Sequence, residues 1–393
     1  MFENIVLRRS ESGQTITAGK IAEALLYYQK VHLVLDRGTL SNLIKQIGTD
    51  WVLTLLKRPD VSAVYCEEIL CTQTDKVGIF NIYNCVAVTL VGHENLKLPT
   101  PRERLQYEME RLGHEKKNAK NFAKNFLKLT PVRKFSGKHF AERGIPDAAT
   151  IDLLDSIYVK NAIKSIVANT PGGYDLDESF KFDVVKSDLG LNIFTNIDFE
   201  RINKNRKNIL NQEPLTTAHL LSSIQDVRAD LAMASHYGGD FITSTQNSSV
   251  LQIRHAELFR RADINQGAIR QFHEIALPDT PCLAEVIDSG QRSFGEFIRL
   301  LEKSSKFKDW LKSTNPDEGL IREYLNSVNS ESWIHKLPAK SMRYLLSLAL
   351  DANFPASSLA FGMFDNFIVE KLLAGWRPSH FVDMRLVPFS RPQ

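Results

Sequence analysis

Apolar residues recur in two different rhythms between residues 18 and 47, and the change of rhythm predicts a helix, a strand and a second helix. Residues 18–26 and 40–47 carry aliphatic side chains at helical spacing. Residues 31–35 between them are largely apolar on both faces, as is typical of a strand that is covered on both sides. Such a unit belongs to α/β folds, in which ligands bind beyond the carboxyl ends of strands. Asp36 lies at such a position, directly after the strand.

The pattern continues with a third helix, which stops before Pro59, and then with β-rich sequence. We expect a strand over residues 61–71, a polar turn over 72–76 and a long strand over 78–91. Further along, Ser187-Asp-Leu-Gly190 separates two apolar runs and predicts a hairpin. From residue 263 onward the spacing is helical throughout, which predicts a helical C-terminal region.

These elements predict an α/β fold, a mixed sheet with flanking helices, in the N-terminal two thirds and an all-α C-terminal third. We expect four parts: an α/β domain (1–98), a charged helical connector (99–148), a second α/β region (149–262) and a helical domain (263–393). The first boundary rests on the prolines between residues 96 and 101, which interrupt the pattern.

The composition is that of an ordinary globular protein, and it narrows the function only slightly. The chain has 393 residues, of which 43% are hydrophobic and 24% are charged, and its formal charge is +3. Any affinity for an anionic partner must therefore come from local clusters of charge. The four cysteines show neither a CxxC pair nor zinc-site spacing, which favours reduced thiols and a cytoplasmic location. No signal peptide and no transmembrane segment are expected.

One segment concentrates positive charge. A helix is predicted over residues 116–129, and Thr130-Pro131 ends it. Lysines recur every fourth residue over 116–128 and would form one stripe along this helix, with apolar side chains on the other side. Further basic residues follow that helix. The predicted nucleic-acid-binding residues are Lys116, Lys117, Lys120, Lys124, Lys128, Arg133, Lys134 and Lys138. Phosphates of DNA or RNA are one partner for such a stripe, an acidic protein or a membrane surface is another, and a simple solvated face is the remaining interpretation.

A second hypothesis places metal chemistry near Asp36. Glu67, Glu68, Asp75 and Lys76 fall in the expected hairpin, and carboxylates on adjacent strands can hold Mg²⁺ while a lysine stabilises an attacked phosphate. These residues are the ingredients of a Mg²⁺-dependent nuclease. Because Glu67 and Glu68 are adjacent, a regular strand would direct only one of them inward.

Two short segments suggest phosphate binding at a helix N-terminus. Gly38 and Thr39 precede one expected helix, and Thr243 and Ser244 precede another. Glycine allows close approach of a ligand to the backbone, and hydroxyl groups can either bind phosphate or cap the helix. We expect Thr39 or Ser41 to be the cap of the helix that follows Asp36.

Taken together, the patterns favour a binding or effector protein that contacts nucleic acid or an acidic partner through the basic helix. Its helical C-terminal domain would mediate assembly, either with further copies of the chain or with a partner protein. The general look of the chain is similar to that of bacterial accessory proteins, a class rich in phage-defence genes, although no motif carries this similarity. The nuclease is the alternative. A membrane-associating hairpin over residues 341–350 and 358–373 is the third interpretation.

Overall fold

The computed structural model describes most of the N-terminal two thirds and part of the C-terminal third. The described residues are 2–9, 15–89, 98–210, 213–241, 249–251, 253, 265, 267–274, 276, 277, 280–313 and 378–391. The chain divides into two compact units. Unit 1 comprises Met1–Glu3, Ala18–Gln29 and Asp263–Gln393, and unit 2 comprises Asn4–Thr17 and Lys30–Ala262.

The described residues include eight strands, all in unit 2, which form two four-stranded sheets. The strands are β1 (Asn4–Arg8), β2 (Lys30–Leu35), β3 (Val61–Tyr65), β4 (Glu68–Val77), β5 (Phe80–Thr89), β6 (Phe182–Ser187), β7 (Gly190–Thr195) and β8 (Asp240–Phe241). One sheet has the order β3-β2-β1-β8 and its strands are parallel. The other has the order β4-β5-β7-β6 and its strands are antiparallel.

Helices make up most of the remaining described structure. In unit 2 they are α2 (Arg37–Leu56), α3 (Pro101–Arg111), α4 (Lys116–Leu129), α5 (Ile145–Leu153), α6 (Ser156–Asn169), α7 (Phe199–Leu210) and α8 (Thr217–Tyr237). In unit 1 they include α1 (Ala18–Tyr27), α9 (Leu283–Asp288), α10 (Phe294–Leu301), α11 (Ser305–Ser313), α12 (Pro378–Phe381) and α13 (Val387–Ser390), with a π-helical turn (Val382–Leu386) between the last two. The predicted fold class is confirmed: sheets with flanking helices come first, and the described C-terminal part is helical.

The parallel sheet is built from the strand that the apolar pattern predicts. In β2, Val31 and Leu33 alternate with His32 and Val34, and every residue of the strand except Lys30 and His32 is buried. Parallel pairing places the carboxyl ends of β1, β2 and β3 along one edge of the sheet. The residues that follow these three strands therefore meet at that edge.

The antiparallel sheet corrects one expectation about the hairpin. Residues 72–76 lie within β4, where they pair with β5, so the polar turn predicted there is wrong. The chain instead reverses at residues 78 and 79, where Gly78 adopts a φ of 63° that suits a tight turn. The hairpin predicted over Ser187–Gly190 is confirmed, and it joins β6 to β7.

The antiparallel sheet also draws strands from both sides of the boundary predicted at residue 98, because β5 pairs with β7. Unit 2 accordingly contains the parts predicted as 1–98, 99–148 and 149–262, apart from the segments that unit 1 takes. The predicted domain boundaries stay a prediction about which parts fold independently.

Helix α8 forms the centre of unit 2. It begins after Thr216, whose hydroxyl accepts from the His219 amide, and it ends at Gly238, which adopts the left-handed conformation. Its buried face contacts β1, β4 and β5, so the two sheets share one apolar core. Buried Arg8 donates to Asp226 at 3.0 Å and to Asp230 at 2.9 Å, which satisfies the charges in that core.

Unit 1 is organised around close contact between α1 and α9. A Cβ atom on Gly19 would lie 2.2 Å from the Ala284 carbonyl oxygen, so only glycine fits there. The Gly19 amide donates to Asp288 at 2.8 Å. None of the helices in the described ranges is long and apolar enough to cross a membrane. The hairpin predicted over residues 341–350 and 358–373 lies outside the described residues.

Candidate functional site

A cleft of about 140 Å³ lies at the carboxyl edge of the parallel sheet, where the sequence places Asp36. Residues after β1, β2 and β3 form its floor, and α3 closes one side. The lining residues are Arg9, Asp36, Arg37, Gly38, Tyr65, Glu67, Ile69, Leu98, Arg104, Tyr107 and Glu108. The position agrees with the general rule that α/β folds bind ligands at this edge.

Asp36 is the N-cap of α2. Its carboxylate accepts a hydrogen bond of 2.6 Å from the Thr39 amide, so the expectation that Thr39 or Ser41 would cap this helix is wrong. The reason is local: Asp36 is still extended at the end of the strand, and its side chain reaches the amide of the third helical residue. With respect to the described residues Asp36 forms no ion pair, and one of its two oxygens has no hydrogen-bond partner.

The other two carboxylates of the cleft are paired with arginines. Arg104 donates to both oxygens of Glu67, at 3.0 Å and 2.5 Å, and the hydrogen bond to Glu67 raises the pKa of Arg104. Arg104 also donates to the carbonyls of Leu98 and Pro99. Glu108 accepts from Arg37 at 3.2 Å. These pairs tie α3 to the ends of β2 and β3.

The remaining members of the predicted nuclease site lie elsewhere. Glu68 is buried and accepts from the amide and hydroxyl of Ser136, at 2.8 Å and 2.7 Å, so it is engaged outside the cleft. Lys76 and Asp75 lie exposed near the far end of β4, and Lys76 is eight residues from Glu68, roughly 26 Å along a strand. The part of the chain that the structure describes contains no group of three side chains that could hold a metal ion. The Mg²⁺-dependent nuclease stays a prediction, and the described structure does not bring its predicted metal ligands together.

Three residues of the cleft were not predicted from the sequence. Arg9 follows β1, Tyr65 ends β3 and Arg104 belongs to α3, so they meet only through strand order and helix packing. For Arg9 a signal exists, because it occupies the position after its strand that Asp36 occupies after β2. The strand order of a parallel sheet, which brings the ends of β1 and β2 together, is not local in sequence.

The structure gives the positions of two of the four residues that are predicted to bind phosphate. Gly38 lines the cleft, and a Cβ atom there would lie 2.5 Å from Nη1 of Arg9, so the missing side chain makes room for the guanidinium. The Thr39 side chain is buried and its hydroxyl has no partner, yet it does not line the cleft. Thr243 and Ser244 lie outside the described residues.

The second candidate site is the basic segment, and its helix has the predicted bounds. Helix α4 buries Ala119, Phe122, Ala123 and Phe126, and the ring of Phe126 packs edge-on against Tyr65 at 5.3 Å between centroids. The residues after the helix are fixed as well, because the Arg133 amide donates to the Tyr65 carbonyl at 2.9 Å. The apolar side thus anchors α4 and the following loop to the parallel sheet.

The eight basic side chains predicted here are all exposed. We call Lys116, Lys117, Lys120, Lys124, Lys128, Arg133, Lys134 and Lys138 the basic face. Within the described ranges no member of the basic face forms an ion pair. Carboxylates from elsewhere in the described fold therefore do not neutralise it.

Comparison of the chain with protein-family models, with curated proteins and with solved structures found no match.

Proposed function

We propose that the protein binds nucleic acid through the basic face. The proposal is carried by eight exposed basic side chains that form no ion pair with any described residue, together with a helix whose opposite side is buried. A charged stripe on a firmly docked helix can meet a polyanion without first becoming ordered, so little conformational entropy is lost on binding.

The spacing suits a partner with regularly repeated charge. Lys116 and Lys128 are twelve residues apart, which is roughly 18 Å along the helix axis at 1.5 Å per residue. Double-stranded DNA carries one charge for about every 1.7 Å of its axis, so the stripe runs past about ten phosphates. Not every lysine needs to contact a phosphate for the summed attraction to be large.

The neighbouring polar side chains favour nucleic acid over an acidic protein. Asn118, Asn121 and Asn125 are exposed among the lysines, and their amides can donate to phosphate oxygens or sugar hydroxyls. No aromatic side chain of α4 is exposed, because both of its phenylalanines are buried. We therefore expect backbone contacts and weak sequence preference, without stacking of bases.

The proposal includes a cytoplasmic setting and the bacterial accessory role that the sequence suggests. It draws support from the four cysteines, all of them described, none of which forms a disulfide. Burial raises the pKa of the Cys66 thiol to about 12 and that of Cys85 to about 11, so neither is poised for redox chemistry. Assembly through the C-terminal helices stays part of the proposal and falls largely on residues outside the described ranges.

The test is a binding titration by fluorescence anisotropy with labelled duplex DNA, duplex RNA and single strands of mixed sequence. The double variant Lys120→Glu/Lys124→Glu reverses two charges at the centre of the stripe. We expect wild type to bind at low salt and the double variant to bind at least tenfold more weakly to every bound form.

A matched control reverses two lysines on another surface of the same unit. Lys181 and Lys186 are exposed beside and within β6, and Lys181→Glu/Lys186→Glu changes the net charge by the same amount. The control should retain nearly all of the affinity. If both double variants lose affinity equally, binding follows net charge and the basic face has no special role. If wild type binds none of the nucleic acids but captures an acidic peptide such as polyglutamate, the proposal is wrong and the partner is a protein.

A further inference from the structure

The cleft at the sheet edge contains hydrogen-bond donors that no described residue satisfies. Within the described part of the chain, the exposed Arg9 guanidinium forms no ion pair or hydrogen bond, and the Gly38 amide, in the first turn of α2, donates to no partner there either. The hydroxyl of Tyr65 has no hydrogen-bond partner among the described residues either, and although the residue is only 1% exposed, this oxygen is not one of the fully buried unpaired atoms of the described chain. The phenol therefore lies at the surface of the cleft, where a ligand can supply an acceptor.

The acidic residues of the same cleft are already matched. Glu67 is held by Arg104 and Glu108 by Arg37, while Asp36 caps the positive end of α2. Among the described lining groups, the donors left without a partner include the Arg9 guanidinium, the Gly38 amide and the Tyr65 phenol. A ligand with several acceptor oxygens would satisfy these donors.

We propose that this cleft binds a phosphate monoester, with Arg9, the Gly38 amide and the Tyr65 hydroxyl holding the phosphate oxygens. Three donors from three different elements suit a tetrahedral group with three terminal oxygens better than a flat carboxylate with two. The amide adds the usual preference of a helix N-terminus for phosphate.

The protonation state of Tyr65 agrees with a donor role. Burial raises the pKa of the Tyr65 phenol, and the negative charge of Glu67 raises it further. The phenol therefore keeps its proton at neutral pH and donates it to an acceptor.

One more group indicates what else the ligand carries. The oxygen of Asp36 that does not cap α2 is a free acceptor beside these donors. A sugar hydroxyl would satisfy it, and Tyr107 on α3 offers an aromatic surface near the opening. A free phosphate ion and a nucleoside monophosphate both supply phosphate oxygens to the donors. Only the nucleoside monophosphate also has a sugar hydroxyl that can donate to Asp36.

The test is isothermal titration calorimetry of the full chain with inorganic phosphate and, separately, with AMP. Arg9→Ala should weaken binding of both at least tenfold, because a charged hydrogen bond is lost. Tyr65→Phe keeps the ring and removes only the hydroxyl, and it should weaken binding several-fold. Gly38→Ala should also weaken binding, because its methyl group would displace the Arg9 guanidinium.

Arg143→Ala is the matched control, since Arg143 is an exposed arginine of unit 2 that does not line the cleft. It should bind like wild type, as should Lys120→Glu/Lys124→Glu, so the result is independent of the nucleic-acid proposal. Tighter binding of AMP than of phosphate that is lost in Asp36→Asn assigns the site to a nucleotide, and equal binding assigns it to the free ion. The proposal is overturned if folded wild type binds neither ligand, or if Arg9→Ala and Tyr65→Phe bind as wild type does.

Discussion

The lysine stripe of α4 should weaken the helix that carries it. Lys120 has lysines four residues before it and four residues after it, at positions 116 and 124, and all three are exposed. Like charges at this spacing destabilise a helix by about 0.2–0.5 kcal/mol per pair. No carboxylate within the described ranges forms an ion pair with any of them.

Replacing the central lysine should therefore stabilise the protein. Lys120→Glu removes two repulsive pairs and creates two attractive ones, so four terms of that size add to roughly 1 kcal/mol after allowance for screening at an exposed site. Lys120→Gln removes only the repulsion and should give about half of the gain. The expected gain appears in unit 2, to whose sheet α4 is anchored.

Urea denaturation measures this free energy of unfolding. The midpoint should rise in the order wild type, Lys120→Gln, Lys120→Glu at low ionic strength, with the slope of the unfolding free energy against urea unchanged. At about 1 M salt the three midpoints should converge, because the screening length falls to about 3 Å. If Lys120→Glu is no more stable than wild type at low salt, the lysines are already neutralised. Repulsion between them would then give no reason to expect an anionic partner.

Three further predictions concern the body of unit 2. Phe126→Ala should lower the free energy of unfolding by about 3–5 kcal/mol in urea denaturation, because the fully buried ring anchors α4, and a smaller loss would mean that α4 is not docked. Burial lowers the pKa of His32, so the unfolded state binds its proton first and stability falls as the pH drops below about 6.5. His32→Asn should flatten this fall between pH 7.5 and 5, and an unchanged pH profile would contradict the assignment. With thiol pKa values of about 12 and 11, Cys66 and Cys85 should resist iodoacetamide at pH 8 and react once urea is added, as followed by peptide mass mapping.

The spacing of apolar residues was sufficient to predict elements whose residues follow one another in the chain. The run of residues 31–35 predicted a buried strand with Asp36 beyond its carboxyl end, and the spacing of apolar residues predicted the bounds of α4. The turn placed over residues 72–76 failed because polar residues are also common on the exposed end of a long hairpin. There the pairing with β5 outweighs the polar composition.

The two candidate sites also differ in how much of each could be predicted from the sequence. The basic face is a property of one helix and the loop that follows it, so its residues could be listed from the sequence. The cleft depends on the order of the parallel strands and on the docking of α3, which bring Arg9 and Tyr65 to Asp36 from distant positions in the chain. Glu68 and Lys76 looked equivalent to Glu67 in the sequence, but strand alternation and length separate them from it.

The salt dependence of DNA binding tests the central claim most directly. For wild type, the logarithm of the association constant should fall linearly with the logarithm of salt concentration, with a slope of about −0.9 for each phosphate neutralised. Lys120→Glu/Lys124→Glu should make that slope shallower by about 1.8, while Lys181→Glu/Lys186→Glu should leave it unchanged. A slope near zero for wild type, or the same slope for wild type and both variants, would contradict the proposal that the basic face contacts nucleic-acid phosphates.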